Sequence, residues 1–595
     1  MNDGAIGDSR VRQSLEKDWL GLTLVAWITL LVWTVATRWP QIQWLGLGDT
    51  DDNMRLMQVR ALLDGQGWYD LRQYRLNPPL GFDMHWSRVV DLPIAAMILA
   101  LKPFFGTAMA EKLACGIAPL LPLSITMIGL SFAVRRLVSP LAWPLALIFL
   151  LVCTATMLMF APMRIDHHGW QLASLSVTVA GLADLKARRG GAIVGLASAF
   201  SLTIGLEMLP YAAGAGAILA LRWIVDRDEA PRIMAYGLTL AGGSAIGFAL
   251  FASHANQVLR CDALTPVWLR VMVEAGTLLF LLGWFNPDSR LLRLGLATLA
   301  GGAIIAAFAL IFPQCLGRPE QVSPELAKNW LSNVREARPI YAHPLRNALP
   351  VAALPIIGII GAAVATWRAR STPRLSAWLA VMLFTLFSGG MLLWQARAGP
   401  AAQMLGIPGA VALGWIVFPW CLGHRSVLVR VLGTVGAFIA ISGAFAGFLI
   451  KYLPVDRPDA SSRLVNRAGA RCAALSSLRP LDRLPPQTIF TFVDMGPRLI
   501  SVTHHAAVAG PYHRNGDAIL DVQHAFGGGG DQFRTIARRH GATLLLTCPN
   551  MAESTIYSVR NKGGFYDQLD KGATFQWLEP VPLPPKSPFK LWRIH

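Results

Sequence analysis

Four short stretches carry residue types that could do chemistry together. "GDTDDNMR" supplies Asp49, Asp51 and Asp52, and "MRIDHHGW" supplies Asp166, His167 and His168. "NVREARP" supplies Glu336, and "WQARAGP" supplies Arg397. Carboxylates with an imidazole are donors for divalent cations such as Mn²⁺ or Mg²⁺. Asp166 and His168 stand two apart. In extended backbone they point the same way, whereas in a helix they would diverge by about 200°. They suit a ligand pair only if the chain is extended ahead of the helix expected from near Gly169. A guanidinium can clamp a phosphate through two parallel hydrogen bonds, a chemistry open to Arg397. Each piece also has a plainer reading: a polar loop tip for the Asp-His-His run, a surface pair for Glu336, and a snorkelling interfacial cation for Arg397.

What could make these pieces one site is where the chain places them. Of 595 residues, 54% are hydrophobic and 15% charged, against about a quarter charged in soluble domains. Mean hydropathy is +0.45. Apolar runs long enough to cross a bilayer fall near 19–39, 112–134, 141–162, 170–185, 191–208, 209–225, 233–253, 264–284, 292–313, 346–366, 376–394, 403–421 and 431–450. The polar start, "MNDGAIGDSRVRQSLEKDW", leads into the first span and does not read as a cleavable leader. The net charge is +18, but the basic residues sit in short clusters between apolar runs. No basic tract is interleaved with aromatics, so no nucleic-acid partner is expected.

With the N-terminus inside, alternate loops are all basic: Arg135–Arg136, "KARR" at 186–189, "DRDEAPR", "SRLLR", "WRARSTPR" and "HRSVLVR". That is the positive-inside pattern. It places the N-terminus in the cytoplasm and the loops 40–111 and 314–345 outside, with "RIDHHG" and everything after residue 450. The expected location is the cytoplasmic membrane of a bacterium, with a periplasmic tail. One further apolar stretch, "VVDLPIAAMILALKPFFG", breaks this alternation if counted as a span. It reads as an interfacial or re-entrant helix on the outer face.

The expected fold is therefore an all-α polytopic membrane domain over 1–450, then a small α/β extracytoplasmic domain over 451–595. "TIFTFVD", "ATLLLTC" and "FKLWRIH" read as strands of that domain. Cys261 and Cys315 lie at the outer ends of spans, and Cys472 and Cys548 in the tail. An oxidising compartment permits disulfides. Four cysteines allow three connectivities, of which Cys261–Cys315 is preferred. The tail adds polar residues in "VTHHAAVAGPYHRNGDAI", of which Tyr512, His513 and Arg514 could contact an acceptor. "AFGGGGDQF" lacks the Lys-Ser/Thr of a phosphate-binding loop and reads as a turn.

The order of these motifs resembles the catalytic subunit of oligosaccharyltransferase, a membrane glycosyltransferase of the GT-C class, over most of the chain. "GDTDDNMRLMQVRALLDGQGWYDLRQYRLNPPLG" is similar to that family's first outer loop, with an acidic residue and an arginine six positions on, here Asp49 and Arg55. "RIDHHGW" is similar to its archaeal second motif, whose Asp and second His bind metal; this implies Asp166 and His168. "NVREARP" resembles the mobile-loop motif ending in a glutamate, which implies Glu336. Arg397 matches the arginine that contacts the donor phosphate. "FVDMG", 492–496, aligns with the Trp-Trp-Asp-Tyr-Gly motif that grips the acceptor peptide. Phe492 and Val493 replace the tryptophans, while Asp494 and Gly496 remain.

The resemblance implies transfer of a sugar or oligosaccharide from a polyprenyl-(di)phosphate donor to an acceptor at the outer membrane surface. A divalent metal held by Asp49, Asp166, His168 and Glu336 would neutralise the leaving phosphate. Asp49 or Asp51 would orient the acceptor and take its proton. The acceptor could be a glycolipid, a polysaccharide or a protein. The alternatives are a monosaccharide transferase with a polyprenyl-monophosphate donor and, in another class, a transporter. The acidic residues cluster at one surface and no inverted repeat is evident, which weighs against transport.

Overall fold

The computed structural model describes residues 9–453 and 459–595. Each of the thirteen apolar runs contains helix. Eight helical stretches among the described residues are long and apolar enough to cross a membrane, while Trp143–Val152, Leu375–Met391 and Val429–Ile441 are apolar but shorter. The protein is a multi-pass helical membrane protein with a small α/β region at its C-terminal end.

Several of the expected uninterrupted spans are broken, and the stretch expected as an interfacial helix is joined to the 112–134 run. The outer stretch starting at Asp91 is helical and runs on to Ile117, broken at Gly106 (φ 73°), and Leu120–Leu137 follows almost directly. The 141–162 run divides at Cys153 into Trp143–Val152 and Thr154–Leu158. The 431–450 run divides near Gly443 (φ 75°) into Thr434–Ile441 and Phe445–Leu449. Broken backbone among apolar helices must find partners inside the protein. At the Cys153 break, the side-chain oxygen of Gln403 accepts the N–H groups of Ala155 and Thr156, at 3.0 and 3.3 Å.

Gln403 belongs to Gly399–Leu422, a helix packed along Leu345–Arg368 with its backbone nearly touching its neighbour's. A side chain at Gly409 would collide with the Gly358 carbonyl, and one at Gly361 with that of Gly409. Small residues at such spacing let helices approach closely where water supplies no driving force.

Strands β1 (Arg72–Gln73) and β2 (Phe82–Asp83) form a short hairpin in the first outer loop. The tail holds β3 (Thr488–Phe490), β4 (Ala506–Ala507), β5 (Ala542–Thr547), β6 (Leu578–Val581) and β7 (Lys590–Ile594), in the order β4-β3-β5-β7-β6. β3 is parallel to β4 and β5, while β7 is antiparallel to β5 and β6. The three strands expected from sequence are β3, β5 and β7. The sheet buries Phe490, Phe526 and Leu545, and the same apolar cluster takes in Met54, Met57, Leu76 and Trp86 of the first outer loop. The loop also extends the sheet: Leu76 bridges Ala507 in parallel. Disulfides join Cys261 to Cys315 and Cys472 to Cys548.

Candidate active site

Asp49 caps the helix Thr50–Leu63. Its Oδ1 accepts the Asp51 N–H (3.2 Å), and Asp52 reaches back to accept the Asp49 N–H (3.2 Å). This reciprocal cap satisfies helix-end donors that would otherwise be orphaned. It also fixes Asp49 and Asp51 at the start of the helix.

The second motif arrives from the other side. Met163 sits in the left-handed region (φ 72°), fully buried, and donates its N–H to the Cys115 carbonyl at 3.0 Å. Arg164–Ile165 follow outside any helix, and the helix begins at His168. Asp166 Oδ1 accepts the His168 N–H (3.0 Å), and Asp166 Oδ2 lies 3.0 Å from His168 Nδ1. The expected Asp166–His168 pair is thus brought together. His167 turns the other way: its Nε2 lies 3.2 Å from Glu207, whose second oxygen accepts from Gln171 at 2.7 Å.

The two motifs meet through Arg164. One guanidinium nitrogen is 2.7 Å from Asp49 Oδ2 and 3.3 Å from Asp52 Oδ2, and the other is 2.8 Å from Asp166 Oδ2. Asp52 in turn accepts the Asp166 N–H at 3.1 Å. Burial opposes ionisation of Asp166, but His168 and Arg164 outweigh it and hold the carboxyl well below the usual range. Burial pushes the fully buried Asp52 well up. Burial, with Asp49 and Asp166 beside it, pushes Asp51 up to about 7. Sequence reasoning singled out Asp52 with its neighbours but overlooked Arg164. The signal was present: in extended backbone, residues 164, 166 and 168 share a side.

A cavity of about 2130 Å³ opens in front of this cluster. Asp49, Asp51, Arg164 and His168 line one part of it, and Glu336 and Arg397 line others. Glu336 lies on the short turn Arg335–Ala337 of the second outer loop and is exposed; Arg397 lies on Ala396–Ala398, just ahead of Gly399–Leu422. Arg335, Arg338 and Arg346 line the cavity too. Asp494 faces it from the tail. Its N–H and that of Val493 both donate to Glu553, at 3.1 and 2.9 Å. Burial, and then Asp494, push Glu553 up to about 7.

The other tail residues singled out hold the scaffold. Tyr512 is buried and donates its hydroxyl to the Thr50 carbonyl, and Arg514 makes a two-pronged contact with Asp262, 2.7 Å on each side. His513 Nε2 lies 2.6 Å from the same carboxylate, though His513 also borders the cavity. Arg55, the conspicuous basic residue of the first loop, is fully buried. It pairs with Asp91 at 2.7 Å beneath Trp86.

The donors suit a divalent cation in kind: the carboxylates of Asp49, Asp52 and Asp166 already surround one positive charge, Arg164, and His168 Nδ1 lies 3.0 Å from Asp166 Oδ2. Among the described residues, however, no three His, Cys, Asp or Glu side chains are arranged to hold a metal. Glu336 shares the cavity with the cluster, and no contact joins it to Asp49, Asp166 or His168.

No protein-family profile matches the chain, and no curated protein matches it in sequence. Solved structures do. The apo oligosaccharyltransferase of Archaeoglobus fulgidus matches at 15% identity and a TM-score of 0.65, over 95% of this chain and 73% of its own. The oligosaccharyltransferase AglB from Archaeoglobus fulgidus, in complex with an inhibitory peptide and a dolichol-phosphate, matches at 14% identity and 0.63, over 91% and 70%. An Archaeoglobus fulgidus oligosaccharyltransferase in complex with Zn and sulfate matches at 14% identity and 0.57, over 91% and 69%. The chain shares the fold of these oligosaccharyltransferase structures, here a helical membrane part carrying a C-terminal α/β region.

Proposed function

We propose that the protein is an integral-membrane glycosyltransferase that moves a sugar or oligosaccharide from a polyprenyl-(di)phosphate donor to an acceptor at the outer face of a bacterial cytoplasmic membrane. One observation carries this reading: Asp49, Asp51, Arg164, His168 and Arg397 open onto one large cavity in a fold shared with an oligosaccharyltransferase. The basic inner loops support an N-terminus in the cytoplasm and a periplasmic tail.

Arg397, with Arg335, Arg338 and Arg346 lining the same cavity, would hold the donor phosphate. Leu158 and Met159, at the broken helix, give the cavity an apolar flank for the lipid's first units. The acceptor's hydroxyl or amide attacks the anomeric carbon as the bond to the phosphate oxygen breaks, and Asp51 takes the proton. Asp51 suits that task better than Asp49, because it lines the cavity whereas both Asp49 oxygens are engaged by the cap and Arg164. When bound, a Mn²⁺ or Mg²⁺ ion would be held by Asp49, Asp166 and His168, with Glu336 approaching across the cavity, and would supply charge neutralisation at the leaving phosphate.

The test is direct. Membranes containing the protein are incubated with radiolabelled lipid-linked sugar. Label should pass to a glycolipid, polysaccharide or protein fraction, and Asp51→Asn should stop it. Label that stays on the donor across diphosphate and monophosphate lipids would reject the reading.

A further inference from the structure

Asp49 and Asp166 each have one oxygen held by backbone and one held only by side chains. Asp49 Oδ1 accepts the Asp51 N–H, and Asp166 Oδ1 accepts the His168 N–H. The remaining oxygens, Oδ2 of Asp49 and Oδ2 of Asp166, are the atoms available to a cation from outside. Arg164 occupies both, at 2.7 and 2.8 Å, and Asp166 Oδ2 also lies 3.0 Å from His168 Nδ1. The third neighbour, Asp52, is taken up by the Asp49 and Asp166 N–H groups and fully buried.

We infer that Arg164 is the resident counter-cation of this cluster, and that a divalent metal enters only by displacing it. The inference rests on the transferase reading for its meaning and on the geometry for its content. A dication at the two Oδ2 atoms would stand within a few ångströms of a guanidinium, and like charges at that range in a partly buried site repel strongly. The two therefore exclude each other. Arg164 keeps the site assembled without metal, because two acidic residues brought this close would otherwise push apart. Its side chain is 18% exposed and lines the cavity. A displaced guanidinium thus moves into the space where the donor phosphate is proposed to lie, and can meet it there through charge-assisted hydrogen bonds. Metal entry and phosphate capture become one exchange of partners.

The measurement is a Mn²⁺ titration of the purified full-length protein by electron paramagnetic resonance, reading free Mn²⁺. Arg164→Gln should bind one Mn²⁺ at least tenfold tighter than the unaltered chain. Arg164→Lys keeps the charge but loses the two-pronged contact, and should fall between them. Adding Asp166→Asn to Arg164→Gln should abolish the gain. Inorganic phosphate should tighten Mn²⁺ binding by the unaltered chain more than by Arg164→Gln. Equal or weaker Mn²⁺ binding by both monodisperse Arg164 variants overturns the inference. Absence of sugar transfer by every form would reject the transferase reading and leave the Mn²⁺ ranking as measured.

Discussion

Tyr512 donates its hydroxyl to the backbone carbonyl of Thr50, 3.0 Å away, while its ring stacks on Phe82 with centroids 5.4 Å apart. The tail thereby grips the first turn of the helix that Asp49 caps. Around this contact, Ser501 donates to Asn53 at 2.7 Å and Arg498 to the Gly48 carbonyl at 2.8 Å. The tail is part of what positions the acidic cluster.

Tyr512→Phe should keep the ring packing and lose one buried hydrogen bond, a change of about 1 kcal/mol. Turnover should fall several-fold with little change in the KM for the lipid donor. Unaltered turnover would show that the cap keeps its geometry without the tail.

Glu336 lines the same cavity as the Arg164 cluster, from the loop that follows Cys315. Glu336→Gln should lower turnover by about tenfold or more, within the range for a positioned acid–base or charge-stabilising group. The elution profile and melting behaviour should be unchanged, since the residue is exposed. Unchanged turnover would remove Glu336 from the site.

Asp262 fastens Arg514 and His513 to the membrane part. Burial opposes its charge, yet Arg514 and His513 hold its carboxyl well below the ordinary range. A depressed carboxylate contributes stability that is present above its unfolded value, about 3.9, and lost as pH falls through the folded value. Attachment of the tail, read by limited proteolysis, should therefore hold from neutral pH down to about pH 5 and fail only in stronger acid. Asp262→Asn should cost about 3 kcal/mol at neutral pH, the price of leaving a buried guanidinium without its partner. Equal protease resistance in the variant would overturn that assignment.

With two disulfides formed, Cys115, Cys153 and Cys421 remain free and buried. Alkylation of the unfolded, unreduced protein should label three cysteines by mass spectrometry, and reduction should raise the number to seven. Replacing Cys472 with Ser should weaken the tail by about 2–4 kcal/mol. A reactive Cys472 in the unreduced protein would refute the pairing.

The apolar runs were legible because length and hydropathy decide which segments can sit in a bilayer. The Asp166–His168 pair was legible through its period-2 spacing. Interruptions at Cys153 and Gly443 were not, since what stabilises the first of them is Gln403, about 250 residues away. Tyr512 and Arg514 looked like ligand-facing groups because a polar cluster in a tail is silent about its partners. Thr50 and Asp262 lie far upstream and were visible only in three dimensions. Arg164 was hidden in plain view: basic residues near a membrane surface read as topology, so its place between three carboxylates went unassigned.

The bridge between Leu76 and Ala507, with the Asn77 and Arg75 backbones bonded to Ala507 at 2.9 Å, joins a segment synthesised early to one synthesised near the end. The first loop must wait, its strand edge open, until the tail has been made. A prematurely stopped chain would thus be blunted at its beginning as well as its end: without residue 507, the segment following Asp49 loses its template.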